Sequence, residues 1–242
     1  MNALRCFSRS VLPALALWLL CAATVTASEP LPAFDAQYNI RGFGFQIGEF
    51  HSSLANTPDG NHHYETETRT IGFIARFNKD VVRERSNWIW HNSIIRPITY
   101  TYQRTGGKKA RSAKLNFNWS RGIVENTVDG DTWKMPIRDG VLDRLVVQLS
   151  MMLDLKAGKR DMKYTFADGG KLKTYRFRII GEERIETPSG AYDTVKLERV
   201  MDNDKRSTML WCAPKLHFLP VRIDQREKDD NYSMMLAKYS ER

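Results

Sequence analysis

The chain has few cysteines and few long apolar runs, and both scarcities limit what it can be. It contains three cysteines in 242 residues, and two of them, Cys6 and Cys21, lie in a leader segment described below. Cys212 would remain alone, which excludes a disulfide within the mature chain. No second apolar run long enough to cross a bilayer follows residue 27, so we expect no transmembrane segment after the leader is removed.

Sequence signatures of catalysis are equally scarce. The glycine-x-serine-x-glycine elbow of many hydrolases is missing, and none of the five histidines lies in a two-histidine helical zinc pattern. His62 and His63 are adjacent, so on a strand they would point to opposite faces, and we expect both to be exposed. Cys212 does not match a catalytic-cysteine signature and is predicted to be a small buried side chain. The sequence thus predicts no catalytic residue, no metal and no cofactor, and leaves enzymatic activity unsupported.

The first 27 residues have the pattern of a secretory signal peptide. Arg5 and Arg9 precede an apolar run over residues 11–23, and the small residues Val25 and Ala27 precede Ser28. We expect cleavage after Ala27, which would leave residues 28–242 as a single β-rich domain in the periplasm. A chain of about 215 residues can bury roughly 70% of the surface that it exposes when unfolded, so its core can stabilise it without disulfides.

Basic residues outnumber acidic ones, and the formal net charge is +9. This excess favours anionic partners. In an exported protein these would be phospholipid headgroups, anionic glycans or lipopolysaccharide, and we expect no nucleic acid partner. The densest basic run is interrupted by two glycines, which predicts a solvated hairpin tip. The run consists of Arg104, Lys108, Lys109, Arg111 and Lys114.

Apolar and polar residues alternate with a period of two along most of the mature chain. In the clearest case, Tyr175, Phe177 and Ile179 alternate with charged or hydroxyl-bearing residues. Turn signals such as Asp129-Gly130 separate the alternating runs and favour hairpins over helical crossovers. We therefore predict a mainly β fold, an antiparallel meander of roughly ten or more strands curled into an open or closed barrel, with a sandwich as the alternative. Glycines in residues 41–49 predict a strand that bends sharply.

One segment near the middle of the chain has helical periodicity instead. Apolar residues recur every three or four positions from Val141 to Lys156, with Asp139 available as an N-terminal cap and Gly158 as a C-terminal one. This predicts one amphipathic helix at about 140–157. In an all-β chain its apolar stripe would cover the mouth or open face of the sheet.

Aromatic residues are frequent in the predicted strands and suggest a ligand pocket. If some of them face a sheet interior that side chains do not fill, they would line a mostly apolar cavity with a few polar groups. A plain aromatic core is the alternative. The candidate ligand-binding residues are Trp88, Trp90, Tyr100, Leu145, Leu149, Met152 and Trp211.

Four stretches of the sequence carry a family resemblance. They are residues 140–145 (GVLDRL), 186–192 (ETPSGAY), 210–213 (LWCA) and 218–221 (FLPV). With these stretches the chain resembles the exported bacterial family catalogued as domain of unknown function 3108. The resemblance implies a Gram-negative envelope setting and a β-rich fold, and it supplies no catalytic residues.

Three functional hypotheses remain at this point. The leading one is a periplasmic, non-enzymatic binding or carrier protein for an apolar ligand such as a lipid or a lipoprotein acyl chain. The second is an envelope assembly or interaction factor that uses a basic surface on anionic glycan, lipopolysaccharide or membrane. The third is an uncharacterised enzyme, which would need a histidine and carboxylates together in a cleft.

Overall fold

The computed structural model describes residues 31–107, 110–200, 206–227 and 230–242. The signal peptide predicted at residues 1–27 lies outside the described residues, as do Lys108 and Lys109 of the basic run. Within the described residues, fifteen strands form a single sheet and one α-helix is present.

The first eight strands run outward from the middle of the sheet as successive hairpins. Short turns join most of them, and the longer β3–β4 connection holds a short 3-10 helix, Ile74–Arg76. We call the end of the sheet that carries the β1–β2 hairpin the upper end. These strands are β1 (Phe34–Gly42), β2 (Phe45–Asn56), β3 (Asn61–Thr70), β4 (Val81–His91), β5 (Ile94–Thr105), β6 (Arg111–Asn118), β7 (Ile123–Val128) and β8 (Asp131–Pro136).

The second half of the chain returns from the other edge of the sheet towards its middle. It starts with a very short strand and the helix α1 (Val147–Lys156), and a second 3-10 helix, Pro214–Leu216, joins two of its later strands. The strands are β9 (Leu142–Asp143), β10 (Asp161–Asp168), β11 (Lys171–Thr187), β12 (Gly190–Val200), β13 (Arg206–Ala213), β14 (Leu219–Glu227) and β15 (Asp230–Glu241).

The strand order confirms the predicted meander. β1 pairs with β2 on one side and with β15 on the other, both antiparallel, so the first and last strands meet in the middle of the sheet. β9 departs from the antiparallel pattern, because Leu142 and Asp143 pair in parallel with β10. β8 and β9 are the two edges of the sheet, and no ladder joins them within the described residues. The barrel is therefore open, and a sandwich of two sheets is excluded.

The helix begins later than the periodicity predicts. Residues 142 and 143 are extended because they pair with β10, and α1 starts at Val147. The carboxylate that accepts hydrogen bonds near the helix start belongs to Asp143, from the backbone N–H groups of Leu145 at 2.8 Å and Val146 at 3.1 Å. Asp139, the predicted cap, instead forms an ion pair with a strand β5 arginine.

Helix α1 lies inside the curl of the sheet. Leu149 has no exposed surface, Met151 and Met152 are 1% exposed, and Lys156 is the one helix residue that is fully on the surface. The helix shares its core cluster with side chains from β1, β4, β12 and β13, on both halves of the sheet. The helix therefore does not lie across the mouth of the sheet as a cover. It lies below that mouth and fills the interior of the curled sheet. Gly158 adopts φ 80° and ends the helix, as predicted.

The glycine-rich segment at residues 41–49 forms a hairpin and not a single bent strand. β1 ends at Gly42 and β2 begins at Phe45, with Phe43 at φ 54° and Gly44 at φ 85° in the turn between them. Two successive positive φ values are typical of the tight turns that join antiparallel strands. The expectation of one continuous strand was wrong because alternation alone does not reveal where a chain reverses.

The enclosure of α1 makes Leu149 a test of the packing. We expect Leu149→Ala to lower the free energy of unfolding by about 2 to 5 kcal/mol, because truncation leaves a cavity that the surrounding strands cannot fill. The matched control is Leu172→Ala, the same change at a side chain that is 45% exposed, which should change stability by about 0.5 kcal/mol or less. Urea denaturation followed by tryptophan fluorescence measures both. Equal losses in the two variants would contradict an enclosed helix.

Candidate functional site

The two edges of the sheet approach each other without hydrogen-bonding as strands, and we call the region between them the seam. The β10–β11 turn packs against strand β8 across it. Gly170 in that turn has φ 77°, and a side chain there would place its first carbon 2.3 Å from the indole nitrogen of Trp133. Only glycine fits both the backbone conformation and this close approach. The seam is thus closed by contact between a turn and a tryptophan.

A cavity of about 350 Å³ lies in the seam at the upper end of the sheet. Its walls come from β5, β6 and β7 on one side and from β9 and the β10–β11 hairpin on the other. Two tyrosine rings and aliphatic side chains supply the apolar part of the lining. The polar part consists of four cations and one carboxylate, namely Arg111, Arg144, Lys171, Lys173 and Asp168.

Arg144 is fixed at the wall of this cavity by a half-buried ion pair. Its guanidinium lies 2.7 Å from the Glu84 carboxylate and 5.4 Å from the ring centre of Tyr102. Burial is the largest single influence and disfavours the charged form of Arg144, but the acidic neighbours together, with Glu84 foremost, raise the pKa of the guanidinium. Tyr100 donates its hydroxyl to the same carboxylate. Burial, followed by the charge of Glu84, raises the pKa of Tyr100, so this hydroxyl stays protonated.

The neighbouring Asp143 holds the segment that carries Arg144 in place. Its side chain has no exposed surface and accepts hydrogen bonds from the Ser86 hydroxyl on β4 and from two backbone N–H groups. Burial raises the pKa of the Asp143 carboxyl to about 6, against the opposing effect of these hydrogen bonds. The Ser86–Asp143 contact therefore ties the start of the helical segment to the opposite wall of the barrel and sets the position of Arg144.

Two larger recesses, of about 780 Å³ each, lie on the outer face of the sheet and open broadly to solvent. The first crosses β1 to β7, and charged side chains on its walls pair with each other, as in Arg83–Glu67 and Arg85–Glu65, each at 2.7 Å. Their charges are already compensated by exposed partners. The seam cavity, which is smaller and has an excess of cations, is the better candidate site.

Comparison with known proteins identifies the family of this chain. The family model described as "Protein of unknown function (DUF3108)" matches residues 33–237. The chain belongs to this family. The match confirms the resemblance carried by residues 140–145, 186–192, 210–213 and 218–221. No match was found among curated proteins.

Solved structures are similar to this DUF3108 protein in fold. The crystal structure of a beta-barrel-like protein of domain of unknown function DUF1849 from Brucella abortus aligns with a TM-score of 0.59 and 8% identity, covering 88% of this chain and 98% of that one. At this identity the likeness shows the fold alone. A protein named "putative lipoprotein" from Parabacteroides distasonis aligns with a TM-score of 0.34 and 11% identity, covering 87% of this chain and 98% of that one, and it carries no argument here.

The structure distributes the seven candidate residues of the sequence over three places. Trp88, Leu149 and Met152 are at most 1% exposed within the main core, and Trp90 and Leu145 are half-buried beside it. Of the set, Tyr100 lines the seam cavity. Trp211, in strand β13, belongs to the main core cluster as well.

Charged side chains contact Trp211 in the sheet of this DUF3108 protein. The ammonium of Lys196 and the guanidinium of Arg222 lie 4.8 Å and 4.7 Å from its ring centre, and its indole N–H donates to Glu183 at 2.9 Å. The same indole contact lowers the pKa of the Glu183 carboxyl. Trp211 is 5% exposed, and it contacts these charged side chains as well as the main core cluster.

The outcome differs for two further predictions about single residues. The expectation that His62 is exposed was wrong, since it is 1% exposed, stacks on Trp88 at 4.3 Å and places Nδ1 2.9 Å from the side-chain oxygen of Asn56. Cys212 is fully buried, as predicted, and burial raises the pKa of its thiol. A raised thiol pKa disfavours the nucleophilic thiolate.

Sequence reasoning did not single out Arg144, Lys171, Lys173 or Asp143 for the site, and it assigned Arg111 to a solvated hairpin tip. Lys171 and Lys173 follow a Gly-Gly turn. Their common location depends on the approach of β10–β11 to β5 and β6, for which the sequence carries no local signal. Among the described residues, no cluster of three or more metal-ligating side chains forms, and no helix has the length and apolar character to span a membrane.

The raised pKa of Asp143 gives a pH dependence of stability. Because the folded state binds this proton more tightly than the unfolded chain, the stabilisation is complete below about pH 4 and is lost as the pH rises through about 6. Asparagine can keep the hydrogen bonds but does not titrate. We therefore expect the free energy of unfolding of Asp143→Asn to fall by about 2 to 3 kcal/mol less than that of the wild type as the pH rises from 4 to 7. Urea midpoints measured from pH 4 to pH 7 provide the comparison.

The control for this experiment is Asp139→Asn, at an aspartate whose side chain is 75% exposed. The other carboxylates titrate in the wild type and in both variants. The difference between the pH profiles of the wild type and Asp143→Asn therefore isolates the contribution of the Asp143 carboxyl. Identical pH profiles for wild type and Asp143→Asn would refute the buried, proton-retaining carboxyl.

Proposed function

We propose that this protein is a non-enzymatic binding protein of the bacterial envelope that holds a lipid-like anion in the seam cavity. The observation that carries the proposal is a concave site that combines apolar and cationic walls. Pockets of about 300 to 1,000 Å³ are typical of small-molecule sites, and 350 Å³ suits a small ligand or one end of a longer one.

The balance of charges in the cavity favours an anionic group. Lys173 is compensated by Asp168 at 2.6 Å, as Arg144 is by Glu84. Within the described residues, Arg111 and Lys171 form no ion pair, and both side chains line the cavity. These two uncompensated cations suit a phosphate, sulfate or carboxylate headgroup.

The rest of the lining favours an apolar part in the same ligand. The rings of Tyr100 and Tyr102 stand beside Leu115 and Val128, and Tyr100 and Leu115 are nearly fully buried. An inorganic anion alone would leave this surface without a partner. A lipid or lipoprotein acyl chain bearing a charged group is compatible with both halves of the lining.

Export to the periplasm is part of the proposal and is supported by the signal-peptide pattern in residues 1–27. Of the sequence-predicted ligand-binding set, the proposal retains Tyr100 and moves the ligand from the aromatic interior to the seam. The interior position is less favoured because α1 occupies that space with Leu149 and Met152.

The alternative, an assembly factor acting on anionic glycan or lipopolysaccharide through the basic run, has less support. Arg104 forms an ion pair with Asp80, and Arg111 lines the seam cavity. Lys114 lines the outer-face recess that crosses β1 to β7. The described members of the run therefore do not form one basic surface. For an enzyme, the third hypothesis, we find no set of residues to propose.

Calorimetric titration with three probes tests the proposed ligand chemistry. We expect octyl phosphate to bind more tightly than inorganic phosphate or octyl glucoside, because only octyl phosphate satisfies both the cations and the apolar wall. If inorganic phosphate bound as tightly as octyl phosphate, the site would recognise only the anion and the apolar part of the proposed ligand would be wrong. Lack of binding by all three probes would refute the proposal.

Two charge-matched double variants locate the binding. We expect Arg111→Gln with Lys171→Gln to weaken octyl phosphate binding by about tenfold or more, since each substitution removes a cation without a carboxylate partner. The control pair, Arg121→Gln with Lys163→Gln, removes the same charge at exposed positions outside the cavity and should leave the affinity within about twofold. Equal losses in both pairs would show that only the overall charge matters.

A further inference from the structure

Exposed apolar side chains are concentrated at the upper end of the sheet. Of the eight large apolar side chains exposed among the described residues, six lie at this end, and Ile94 is the one at the opposite end. Four of the six are phenylalanines on two adjacent loops, which we call the aromatic rim. The aromatic rim consists of Phe43, Phe45, Phe73 and Phe77, with exposures of 65%, 46%, 67% and 75%.

The loops of the aromatic rim are fixed by backbone hydrogen bonds. The N–H of Ile71 donates to the carbonyl of Ile47 at 3.0 Å, and the N–H of Thr70 donates to the carbonyl of Asp80 at 3.1 Å, so the β3–β4 loop is tied to β2 and closed at its base. The rings of Phe73 and Phe77 contact each other at 5.0 Å, edge to face. Their exposure is thus a property of an ordered loop.

The β5–β6 turn supports this loop from the other side. Gly106 has φ 79°, and a side chain there would collide with the carbonyl oxygen of Lys79. Arg104 donates to the Asp80 carboxylate at the base of the loop, and this contact lowers the pKa of Asp80. The one carboxylate of the loop is therefore already paired, and the loop cannot fold back over its phenylalanines without breaking these contacts.

Cations accompany the aromatic rim. Arg41 adjoins the β1–β2 turn, and Arg76 and Lys79 lie in the β3–β4 loop, all three exposed. Phenylalanines that protrude from turns, with cations beside them, suit a soft anionic layer better than a shaped protein partner, which would require a groove or a flat face.

We propose that the aromatic rim inserts into the surface of an anionic phospholipid bilayer. The phenylalanines enter the boundary between headgroups and acyl chains, while Arg41, Arg76 and Lys79 contact the lipid phosphates. This orientation turns the upper end of the sheet, and with it the mouth of the seam cavity, towards the membrane. Binding at the rim does not require a ligand in the cavity, so the two proposals fail independently.

Co-sedimentation with vesicles tests the inference. We expect the full protein to bind vesicles of equal parts phosphatidylcholine and phosphatidylglycerol, and to bind more weakly as salt rises. Phe73→Ser with Phe77→Ser should lower the partition coefficient by about tenfold or more, because two large apolar side chains no longer enter the bilayer. Arg76→Gln with Lys79→Gln should weaken binding to the anionic vesicles and leave residual binding to pure phosphatidylcholine unchanged.

The matched control is Ile94→Ser with Ile180→Ser, two apolar side chains that are each 43% exposed outside the upper end. This pair should retain wild-type partitioning, and circular dichroism should show all variants folded. The inference is overturned if the wild type does not bind anionic vesicles or if the Phe73/Phe77 variant binds them as well as the wild type does. It is also overturned if the control pair loses as much vesicle binding as the Phe73/Phe77 variant. Self-association that the phenylalanine substitutions abolish, without vesicle binding, would assign the rim to an interface between copies and would equally overturn it.

Discussion

A sheet whose two edge strands do not pair with each other must cover their unpaired N–H and C=O groups by other means. In this protein the β10–β11 turn packs against Trp133 at the β8 edge, and the connection between β8 and β10 covers part of the other edge. It adds the two-residue strand β9 to the edge of β10 and then runs through the interior as helix α1. Because the helix fills the space that the curl encloses, the apolar faces of both halves of the sheet are buried without complete closure of the barrel.

The same connection creates the candidate site. Its turn before α1 places Asp143 against Ser86 and directs Arg144 to Glu84, so a polar network is buried where the two edges of the sheet approach each other. Buried charges are tolerated when paired and hydrogen-bonded, and this pairing holds a cation at a cavity wall beside Tyr102. A closed ladder at this position would leave no room for the cavity. The proposed ligand site therefore lies where the two edges of the sheet do not pair, and the aromatic rim stands at the same end of the sheet.

Much of the fold could be predicted from the sequence because its signals are local. Period-two alternation and turn residues indicate strands and hairpins, and these suffice for a meander in which neighbours pair. The start of α1 could not be predicted, because apolar spacing does not reveal that Leu142 pairs with β10. Trp211 and His62 show the limit for single residues. The ring of Trp211 is contacted by two cations that the sequence does not reveal, and the imidazole of His62 is buried in a stack on Trp88. The seam cavity brings together residues as far apart in the sequence as Tyr102 and Lys171, and no local pattern encodes this placement.

The central claim is that the seam holds the ligand and the aromatic interior does not. A crystal structure of the protein with octyl phosphate tests it most directly. We expect the phosphate within hydrogen-bonding distance of Arg111 or Lys171, with the alkyl chain against Tyr102 and Leu115. Octyl phosphate found among Trp88, Leu149 and Met152 after displacement of α1, or bound only on the outer face of the sheet, would contradict it.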